Sequence, residues 1–194
     1  NMSYKYYDKN ADRFLNDTAN LDMSGHYKKF LGYLDAGSSV LDAGCGSGRD
    51  ALKFKDLGYK VSAFDASFEM VQAATKLTGL VVHQMTFEEM SLAQQYDGIW
   101  ACASLLHVKR ANLKKVLISL SKSLSERGVL YCSFKYGEAE RQKGDRYFND
   151  MNEELLDEII SGISSLELAE FWVSSDARKE RFSESWLNFV LQKI

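Results

Sequence analysis

From Val40 onward, short apolar runs rich in β-branched residues alternate with stretches whose apolar residues recur at helical spacing. The runs indicate buried strands, and the stretches indicate amphipathic helices. Strands separated by helices run parallel, because a crossover connection returns the chain to the same end of the sheet. The alternation therefore predicts an α/β fold in which helices cover a mostly parallel sheet.

Five strands and three helices can be placed from this pattern. One helix begins at Arg49 and ends before Gly58, and a second begins after Ser67, a typical capping residue. A third helix carries apolar residues from Leu113 to Leu124. The strands are predicted at Val40–Leu41, Lys60–Phe64, Leu80–His83, Gly98–Cys102 and Val129–Phe134.

Both ends of the chain depart from the alternation. After Gly162, two strand-like runs, Leu166–Val173 and Trp186–Leu191, follow one another with no helix between them. Such a pair can close the sheet as neighbouring antiparallel strands. The segment Met2–Leu34 looks helical and precedes the sheet. No internal repeat or low-complexity linker divides the sequence, so we expect one domain over residues 2–194.

The composition narrows the classes of function. No apolar run approaches the roughly 20 residues that span a bilayer, and the polar N-terminus lacks the apolar core of a secretory signal. The three cysteines show no paired C-x-x-C spacing, so we expect a cytoplasmic protein with reduced thiols and no metal site. A net charge of −3 gives no general attraction for nucleic acid, although a local basic patch stays open. We therefore expect a small-molecule substrate and no membrane partner.

A glycine cluster follows the first strand directly. Gly44, Gly46 and Gly48 stand at every second position, so the backbone can turn sharply and approach a ligand closely where no Cβ intervenes. The helix behind the loop points its free N–H groups at the same place, which suits a carboxylate or a phosphate. The cluster predicts a site for a nucleotide-type ligand, and an ordinary strand-to-helix turn is the alternative.

Two common phosphate-binding motifs do not fit this loop. A P-loop needs Lys and then Ser or Thr after its last glycine, whereas Gly48 is followed by Arg49 and Asp50. The dinucleotide motif G-x-G-x-x-G is not met either, because the glycines are spaced two and two. Asp65 ends the second strand 17 residues after Gly48. An acidic side chain at that place can accept hydrogen bonds from both hydroxyls of a ribose.

The chain resembles the class I S-adenosylmethionine-dependent methyltransferases, whose first motif is an acidic residue, one further residue and then G-x-G-x-G. That motif stands here at Asp42–Gly48, and Phe64–Ser67, Tyr96–His107 and Gly128–Leu130 follow in the family's order and spacing. The resemblance is closest to the small bacterial group related to tellurite-resistance methyltransferases. It implies a three-layer Rossmann-like fold whose seven-stranded sheet has the order 3-2-1-4-5-7-6 with the last strand antiparallel, and an N-terminal helical lid at about residues 2–34.

The resemblance also implies which residues hold S-adenosylmethionine. The methionine part is expected at the glycine loop, the ribose at the end of strand two, the adenine beside the next helix and the loop after strand three, and the sulfonium above strand four. A lid tyrosine is expected to touch the cofactor as well. In that order the residues are Asp42, Ala43, Gly44 and Gly46; Asp65 and Ala66; Met70, Thr86 and Phe87; Ala101; and Tyr7.

Three of these assignments have plain alternatives. Met70 and Phe87 can equally be core residues, and Tyr7 can simply dock the first helix onto the sheet. Family members often place an acidic side chain in the loop after strand three, where it binds the adenine amino group. Here Met85–Phe87 contains none, so the contact is expected from the backbone or from the Thr86 hydroxyl.

Methyl transfer needs an in-line nucleophile and a dry site more than it needs a reactive side chain. His107 follows strand four in the family's active-site loop, and an imidazole there can take a proton from the nucleophile. A helix-capping or solvent-exposed histidine is the alternative.

The acceptor is expected beyond strands five and six, at the carboxyl ends where such sheets bind ligands. Cationic side chains cluster there, and they favour an anionic or carboxylate-bearing acceptor. Because acidic residues are interspersed, a solvated loop is the alternative. The predicted substrate-binding residues are Lys135, Tyr136, Arg146, Tyr147 and Arg178, and Arg141, Lys143 and Arg181 add to the positive charge.

The function expected from these residues is methyl transfer from S-adenosylmethionine to an unidentified, small and anionic acceptor. Three other functions stay open at this point: a cofactor-binding regulatory protein without turnover, a methyltransferase acting on tRNA or on a metalloid, and a nicotinamide-dependent oxidoreductase. The glycine spacing disfavours the last of these.

Overall fold

The computed structural model of the protein describes residues 2–18, 21–176, 178 and 184–194. The helices in this part of the chain are α1 (Tyr4–Lys9), α2 (Ala11–Thr18), α3 (Ser24–Leu31), α4 (Arg49–Asp56), α5 (Phe68–Thr78), α6 (Arg110–Lys122) and α7 (Glu153–Ser161), and a 3₁₀ helix spans Leu105–His107. The strands are β1 (Ser39–Ala43), β2 (Lys60–Asp65), β3 (Val82–Gln84), β4 (Tyr96–Ala101), β5 (Leu124–Lys135), β6 (Glu140–Lys143), β7 (Arg146–Asn149), β8 (Leu166–Ser175) and β9 (Ser185–Lys193).

Seven of the strands form one sheet in the order β3-β2-β1-β4-β5-β9-β8. Strands β1 to β5 pair in parallel, whereas β9 runs antiparallel to both β5 and β8. Because β8 and β9 are the sixth and seventh sheet strands along the chain, this is the predicted order with the predicted antiparallel ending. The Rossmann-like methyltransferase fold is therefore confirmed.

Helices cover both faces of the sheet. On one face, Phe30 of α3 and Phe54 of α4 pack with Trp100 and Tyr131, whose rings stack 4.0 Å apart. On the other face, α6 and α7 bury apolar residues of β1, β4, β5 and β9. Such strands are buried on both sides, which explains why they are continuous apolar runs in the sequence.

The predicted lid segment divides into two parts. Helix α3 belongs to the layer that packs on the sheet, since Phe30 is fully buried beneath it. Helices α1 and α2 lie over the carboxyl ends of the strands, where their residues line a cleft that His26 of α3 also lines. No helix in the described part of the chain combines the length and the apolar character that a membrane span needs.

Two local predictions need correction. Helix α6 ends at Lys122, and Leu124 already begins β5. The segment after β5, interpreted from its charges as a loop, contains the two-stranded hairpin of β6 and β7. Its strands carry few apolar residues, so the usual alternation that marks a half-buried strand is missing. A turn through Gly144, at φ +59°, connects them.

Candidate active site

A cleft opens where the carboxyl ends of the central strands meet α1, α2 and the β6–β7 hairpin. It lies at the point where the strand order reverses between β1 and β4, the usual ligand position in open α/β sheets. Most of the predicted site residues line this cleft, namely Tyr7, Gly44, Gly46, Asp65, Ala66, Met70, Thr86, Phe87, His107, Lys135, Arg146 and Arg178. The lining does not include Asp42, Ala43, Ala101, Tyr136 or Tyr147.

The glycine loop has the left-handed backbone that only glycine adopts freely. At Gly44, with φ +75°, a Cβ would stand 2.5 Å from the Cβ of Ser104. Ser104 in turn donates a hydrogen bond of 2.8 Å from Oγ to the carbonyl of Ala43. Gly44 therefore lets the loops after β1 and β4 touch. At Gly46, with φ +54°, the nearest atom to a Cβ is in the ring of Phe14 of α2, at 3.4 Å.

Asp65 links the glycine loop to the start of α5. Its Oδ2 accepts a 2.8 Å hydrogen bond from the amide of Gly46, and its Oδ1 accepts one of 2.9 Å from the amide of Ser67. Burial raises the pKa of this carboxyl, although both hydrogen bonds act in the opposite direction. Each oxygen keeps a lone pair for a further donor. The side chain lines the cleft, so a ligand with hydroxyl donors fits it.

Asp42 lies behind the loop, only 2% exposed. Its Oδ2 has no hydrogen-bond partner among the described residues. Burial, and then the neighbouring charge of Asp50, raise the pKa of Asp42 well above its usual value. A cationic group nearby would stabilise the ionised form of this buried carboxyl. The acidic end of the cleft therefore suits the ammonium and sulfonium charges of a methionine-derived ligand.

A polar network that the sequence did not indicate lies around Asp50, behind the glycine loop. Asp50, in the first turn of α4, accepts hydrogen bonds from the hydroxyl of Tyr27, from Nε1 of Trp100 at 2.8 Å and from Nε of Arg49 at 2.9 Å. The same guanidinium donates to the carbonyl of Thr18 at 3.0 Å. The end of α2 is thus tied to the helix behind the glycine loop.

The opposite side of the glycine loop is apolar. Met70 is 1% exposed, and the ring of Phe87 packs edge-on against Phe64 with centroids 5.3 Å apart. The Thr86 hydroxyl accepts a hydrogen bond of 3.2 Å from the amide of Glu89 and can still donate one. Glu88 also lines the cleft. An acidic side chain thus lines the cleft one position after Met85–Phe87.

His107 is held by hydrogen bonds on both ring nitrogens. Its Nδ1 lies 2.8 Å from the carbonyl of Tyr147, and its Nε2 lies 2.8 Å from the hydroxyl of Tyr7. Since a carbonyl only accepts, the proton must be on Nδ1, and Nε2 accepts from Tyr7. Burial lowers the pKa of His107 to about 4 and raises the pKa of Tyr7 to about 12. Both groups are therefore uncharged at neutral pH.

Helix α1 closes the cleft by contacts on both sides. Asp8 Oδ1 accepts hydrogen bonds from the Ser67 hydroxyl at 2.5 Å and from the Glu69 amide at 3.2 Å. Across the cleft, Tyr7 meets His107, and the amide of Tyr147 donates to the Ser3 hydroxyl at 3.1 Å. The helix thus bridges α5 and the β6–β7 hairpin.

Most of the predicted cationic residues are already paired. Lys135 is 8% exposed and donates to Glu184 at 2.5 Å. Arg178 makes two side-chain hydrogen bonds to Asp176, of 3.0 and 2.8 Å. Arg141 pairs with Asp150 in the same way, at 2.9 and 3.1 Å. Arg181 lies outside the described residues.

Arg146 differs from these residues. Its guanidinium lies 4.2 Å from the ring centroid of Tyr6 and 5.1 Å from that of Phe148. Its Nε is buried and has no hydrogen-bond partner among the described residues. A donor left without a partner in a cleft costs free energy, which a bound acceptor group would recover.

The two tyrosines predicted to bind the substrate are not part of the cleft lining, and their hydroxyls make structural contacts. The hydroxyl of Tyr136 donates to Glu153 at 2.5 Å, on the helix that follows. The hydroxyl of Tyr147 donates to Glu140 across the hairpin, and the backbone of Tyr147 holds His107 and Ser3. The cleft lining also includes residues for which no motif gave a signal: His26, Ser133, Ser174 and Asn188.

The fold and the cleft together define a methyltransferase-type α/β domain. Residues 15–172 match the family described as a methyltransferase domain, which is most of the chain, and the protein belongs to that family. An uncharacterized methyltransferase of Staphylococcus carnosus (strain TM300) is 29% identical over 154 residues, which cover 75% of this chain and 74% of that protein. The predicted class of enzyme, a methyltransferase that uses S-adenosylmethionine, is confirmed.

Two solved structures have the same fold. The Burkholderia thailandensis 1,6-didemethyltoxoflavin-N1-methyltransferase, with bound 1,6-didemethyltoxoflavin and S-adenosylhomocysteine, has a TM-score of 0.77 at 19% identity and covers 97% of this chain and 84% of that chain. The Synechocystis PCC 6803 magnesium protoporphyrin IX methyltransferase, with bound S-adenosylhomocysteine, has a TM-score of 0.75 at 17% identity and covers 98% of each chain. At these identities the likeness concerns the fold alone.

Proposed function

We propose that this protein transfers a methyl group from S-adenosylmethionine to a small molecule that carries one anionic group. The observation that supports this best is the division of a single cleft, with Asp65 and the glycine loop at one end and the unpaired Nε of Arg146 at the other. A cationic cofactor suits the first end, and an anionic acceptor suits the second. The lid and the hairpin enclose the space between them, which favours a small acceptor.

The cofactor follows the predicted order of contacts. Gly44 and Gly46 receive the methionine part, with Asp42 behind them, and Asp65 accepts hydrogen bonds from the ribose hydroxyls. Met70 and Phe87 enclose the adenine, and Glu88 lies where it can accept a hydrogen bond from an amino group. Ala43 and Ala101 form the buried floor beneath this site, because both are fully buried at the ends of β1 and β4.

When bound, S-adenosylmethionine supplies a methyl group made electrophilic by the sulfonium. The glycine loop and Asp65 would hold the cofactor so that this methyl group is available to a nucleophile on the acceptor. The protein's part is to hold both reactants in line and to exclude water. Tyr7, Phe14 and Phe148 give the cleft aromatic walls suited to that exclusion.

His107 orients the nucleophile in this proposal. Its Nε2 accepts a hydrogen bond from the hydroxyl of Tyr7. A substrate hydroxyl or N–H can replace Tyr7 there and point its lone pair at the methyl group. Because the pKa of His107 is about 4, the imidazole holds a proton poorly before methyl transfer. Proton transfer to His107 therefore accompanies or follows formation of the new bond.

The primary experiment measures release of S-adenosylhomocysteine with purified protein, S-adenosylmethionine and a panel of metabolites, tRNA and tellurite. The proposal expects release with a small anionic metabolite. Release with tRNA alone, or with tellurite alone, would replace the acceptor assignment while leaving the methyltransferase intact. Calorimetric binding without release in any arm would favour the regulatory alternative. The relationship to tellurite-resistance methyltransferases stays a prediction that the tellurite arm addresses.

Arginine variants test the anionic acceptor. Arg146→Ala removes the one buried guanidinium nitrogen that has no hydrogen-bond partner among the described residues. It should lower kcat/KM for the acceptor roughly tenfold or more, because hydrogen bonds to charged groups contribute about 1.5–3 kcal/mol. The affinity for S-adenosylmethionine should stay unchanged.

Arg178→Ala is the matched comparison. Its guanidinium pairs with Asp176, which is 5% exposed. Removing it leaves this buried carboxylate without its cationic partner, although Trp186 still donates to it, and should lower the melting temperature. The two effects are separable by kinetics and thermal unfolding. Wild-type acceptor kinetics in folded Arg146→Ala would remove the anionic acceptor from the proposal.

A further inference from the structure

A second histidine lines the same cleft and has no part in the function proposed above. His26 lies in α3 and faces the cleft from the helical layer that carries Tyr27 and Phe30. Sequence analysis gave it no role. The helix that contains it, Ser24–Leu31, carries no motif that would mark it as part of a site.

Trp172 of β8 fixes the protonation of this ring. The indole Nε1 donates a hydrogen bond of 3.2 Å to Nδ1 of His26. The planes of the two rings are inclined by 20°, and their centroids lie 6.0 Å apart. An indole nitrogen can only donate, so Nδ1 of His26 must be the unprotonated nitrogen. The proton of the neutral ring is therefore on Nε2. That N–H has no hydrogen-bond partner among the described residues.

The two cleft histidines are consequently opposite tautomers. His107 is protonated on Nδ1, because Tyr147 offers a carbonyl there, and its Nε2 accepts. His26 is protonated on Nε2, because Trp172 offers an N–H to Nδ1, and its Nε2 donates. One ring thus offers a fixed acceptor to a bound molecule and the other offers a fixed donor.

The surroundings of His26 are aromatic and internally satisfied. The hydroxyl of Tyr131 donates to Oδ1 of Asn188 at 2.6 Å, and Nδ2 of Asn188 donates to the Ser174 hydroxyl at 2.9 Å. Tyr131 also presents its ring, which packs 5.9 Å from that of Trp172. Tyr131 and Asn188 thus have partners, whereas the Nε2–H of His26 has none among the described residues and can donate to a ligand.

We propose that His26 orients the methyl acceptor by donating a hydrogen bond from Nε2 to a carbonyl oxygen or an unprotonated ring nitrogen of that molecule. Trp172 is the positioning residue that makes His26 a donor. The acceptor then carries a hydroxyl or N–H for His107 and a separate hydrogen-bond acceptor for His26. This inference rests on the proposed function, since it assigns the substrate class of the same site.

Ring-nitrogen NMR tests the inference directly. Long-range ¹H–¹⁵N spectra of the labelled protein with S-adenosylhomocysteine should show His26 as the Nε2–H tautomer and His107 as the Nδ1–H tautomer. Trp172→Phe keeps an aromatic ring and removes the donor, so His26 should become a mixture of tautomers. Trp186→Phe is the matched control, because its indole donates to Asp176 instead. A single unchanged tautomer in Trp172→Phe would overturn the positioning role.

The 2-, 3- and 4-hydroxyacetophenones serve as probes, because they place a carbonyl at three separations from a hydroxyl. At least one isomer should shift the Nε2–H signal of His26, whereas the matching ethylphenols, which lack the carbonyl, should not. No shift with any isomer would overturn the inference and leave the proposed function standing. Failure of S-adenosylhomocysteine to bind would count against the proposed function instead.

Substitution at His26 gives a kinetic test once the S-adenosylhomocysteine-release panel has identified an acceptor. His26→Phe should lower kcat/KM for it roughly three- to tenfold, the range expected for one neutral hydrogen bond. His26→Gln should restore most of this loss, because the amide oxygen can accept from Trp172 and the amide N–H can donate to the acceptor. Equal kinetics in wild type and His26→Phe would contradict the role.

Discussion

Asp65 holds the glycine loop in shape and also lines the cleft. One oxygen fixes the amide of Gly46 and the other fixes that of Ser67, so the end of β1 and the start of α5 keep a constant separation. The same side chain lines the cleft. In the proposed function, a single side chain at the end of β2 therefore couples the geometry of the loop to ribose binding.

Asp65→Ala should weaken S-adenosylmethionine binding at least tenfold, since it removes charge-assisted hydrogen bonds worth about 1.5–3 kcal/mol. The loss of support for Gly46 acts in the same direction. Calorimetry on a variant with an unchanged circular dichroism spectrum is the measurement, and Asp56→Ala, an exposed carboxylate at the end of α4, is the control. Wild-type affinity in folded Asp65→Ala would exclude Asp65 from the site.

His107 should make stability depend on pH. Its pKa is about 4 in the folded protein and near 6.5 in the unfolded chain, so below pH 6.5 the unfolded state binds the proton first. Stability present above pH 6.5 is therefore lost as the pH falls towards 4, with a slope approaching about 1.4 kcal/mol per pH unit.

Urea unfolding at several pH values tests this dependence. His107→Phe should lose the slope between pH 6.5 and 4, and exposed His83→Gln should retain it. Identical slopes in wild type and His107→Phe would show that the buried imidazole is not the source. The same comparison reports on the hydrogen bond to Tyr7, because that bond requires the uncharged ring.

Among the secondary-structure elements, α1 has the largest share in closing the cleft. It spans only Tyr4–Lys9 and buries none of its own residues completely. A helix this short has little stability alone, so its place depends on contacts at both sides. Asp8 provides the contacts on the α5 side, and Tyr7 provides one on the other side. Opening α1 therefore breaks few contacts and would admit a ligand to the cleft.

Asp8→Ala should loosen α1 without unfolding the sheet. Losing two hydrogen bonds to one carboxylate should weaken S-adenosylmethionine binding roughly three- to tenfold, while the melting temperature changes little. Proteolytic cleavage near the N-terminus should become faster. Asp12→Ala, on the exposed side of α2, is the control for removing a charge. Unchanged affinity and cleavage would show that α1 does not close the site.

At the level of the complete fold, cofactor binding should stabilise the protein, because the cleft joins elements from both ends of the chain. A ligand at one hundred times its Kd adds about 2.7 kcal/mol to the free energy of unfolding. For a chain of this size that raises Tm by about 5–10 °C. Thermal unfolding with S-adenosylmethionine should show this rise, and NADH should not. A rise with NADH alone would favour the oxidoreductase alternative.

Local patterns were sufficient for the strands of the sheet and for the position of the glycine loop, whereas the strand order followed from the family resemblance. Apolar runs between helical stretches specify buried parallel strands, and the absence of a helix after Leu166 specifies the antiparallel ending. The lining positions of Gly44, Gly46 and Asp65 follow from the same information, because each stands where a strand ends. Parallel strands bring their carboxyl ends to one edge, so residues far apart in sequence meet there by geometry.

Pairing between side chains was decided only by the tertiary structure. The sequence assigned Lys135, Arg146 and Arg178 alike to the predicted acceptor site. The fold pairs Lys135 with Glu184 and Arg178 with Asp176, and it leaves Nε of Arg146 without a hydrogen-bond partner among the described residues. The donor for His26 comes from Trp172, 146 positions away. Such contacts depend on which elements pack together and at what register. Spacing along the chain specifies the face of each element, and it carries no information about the partner that this face will meet.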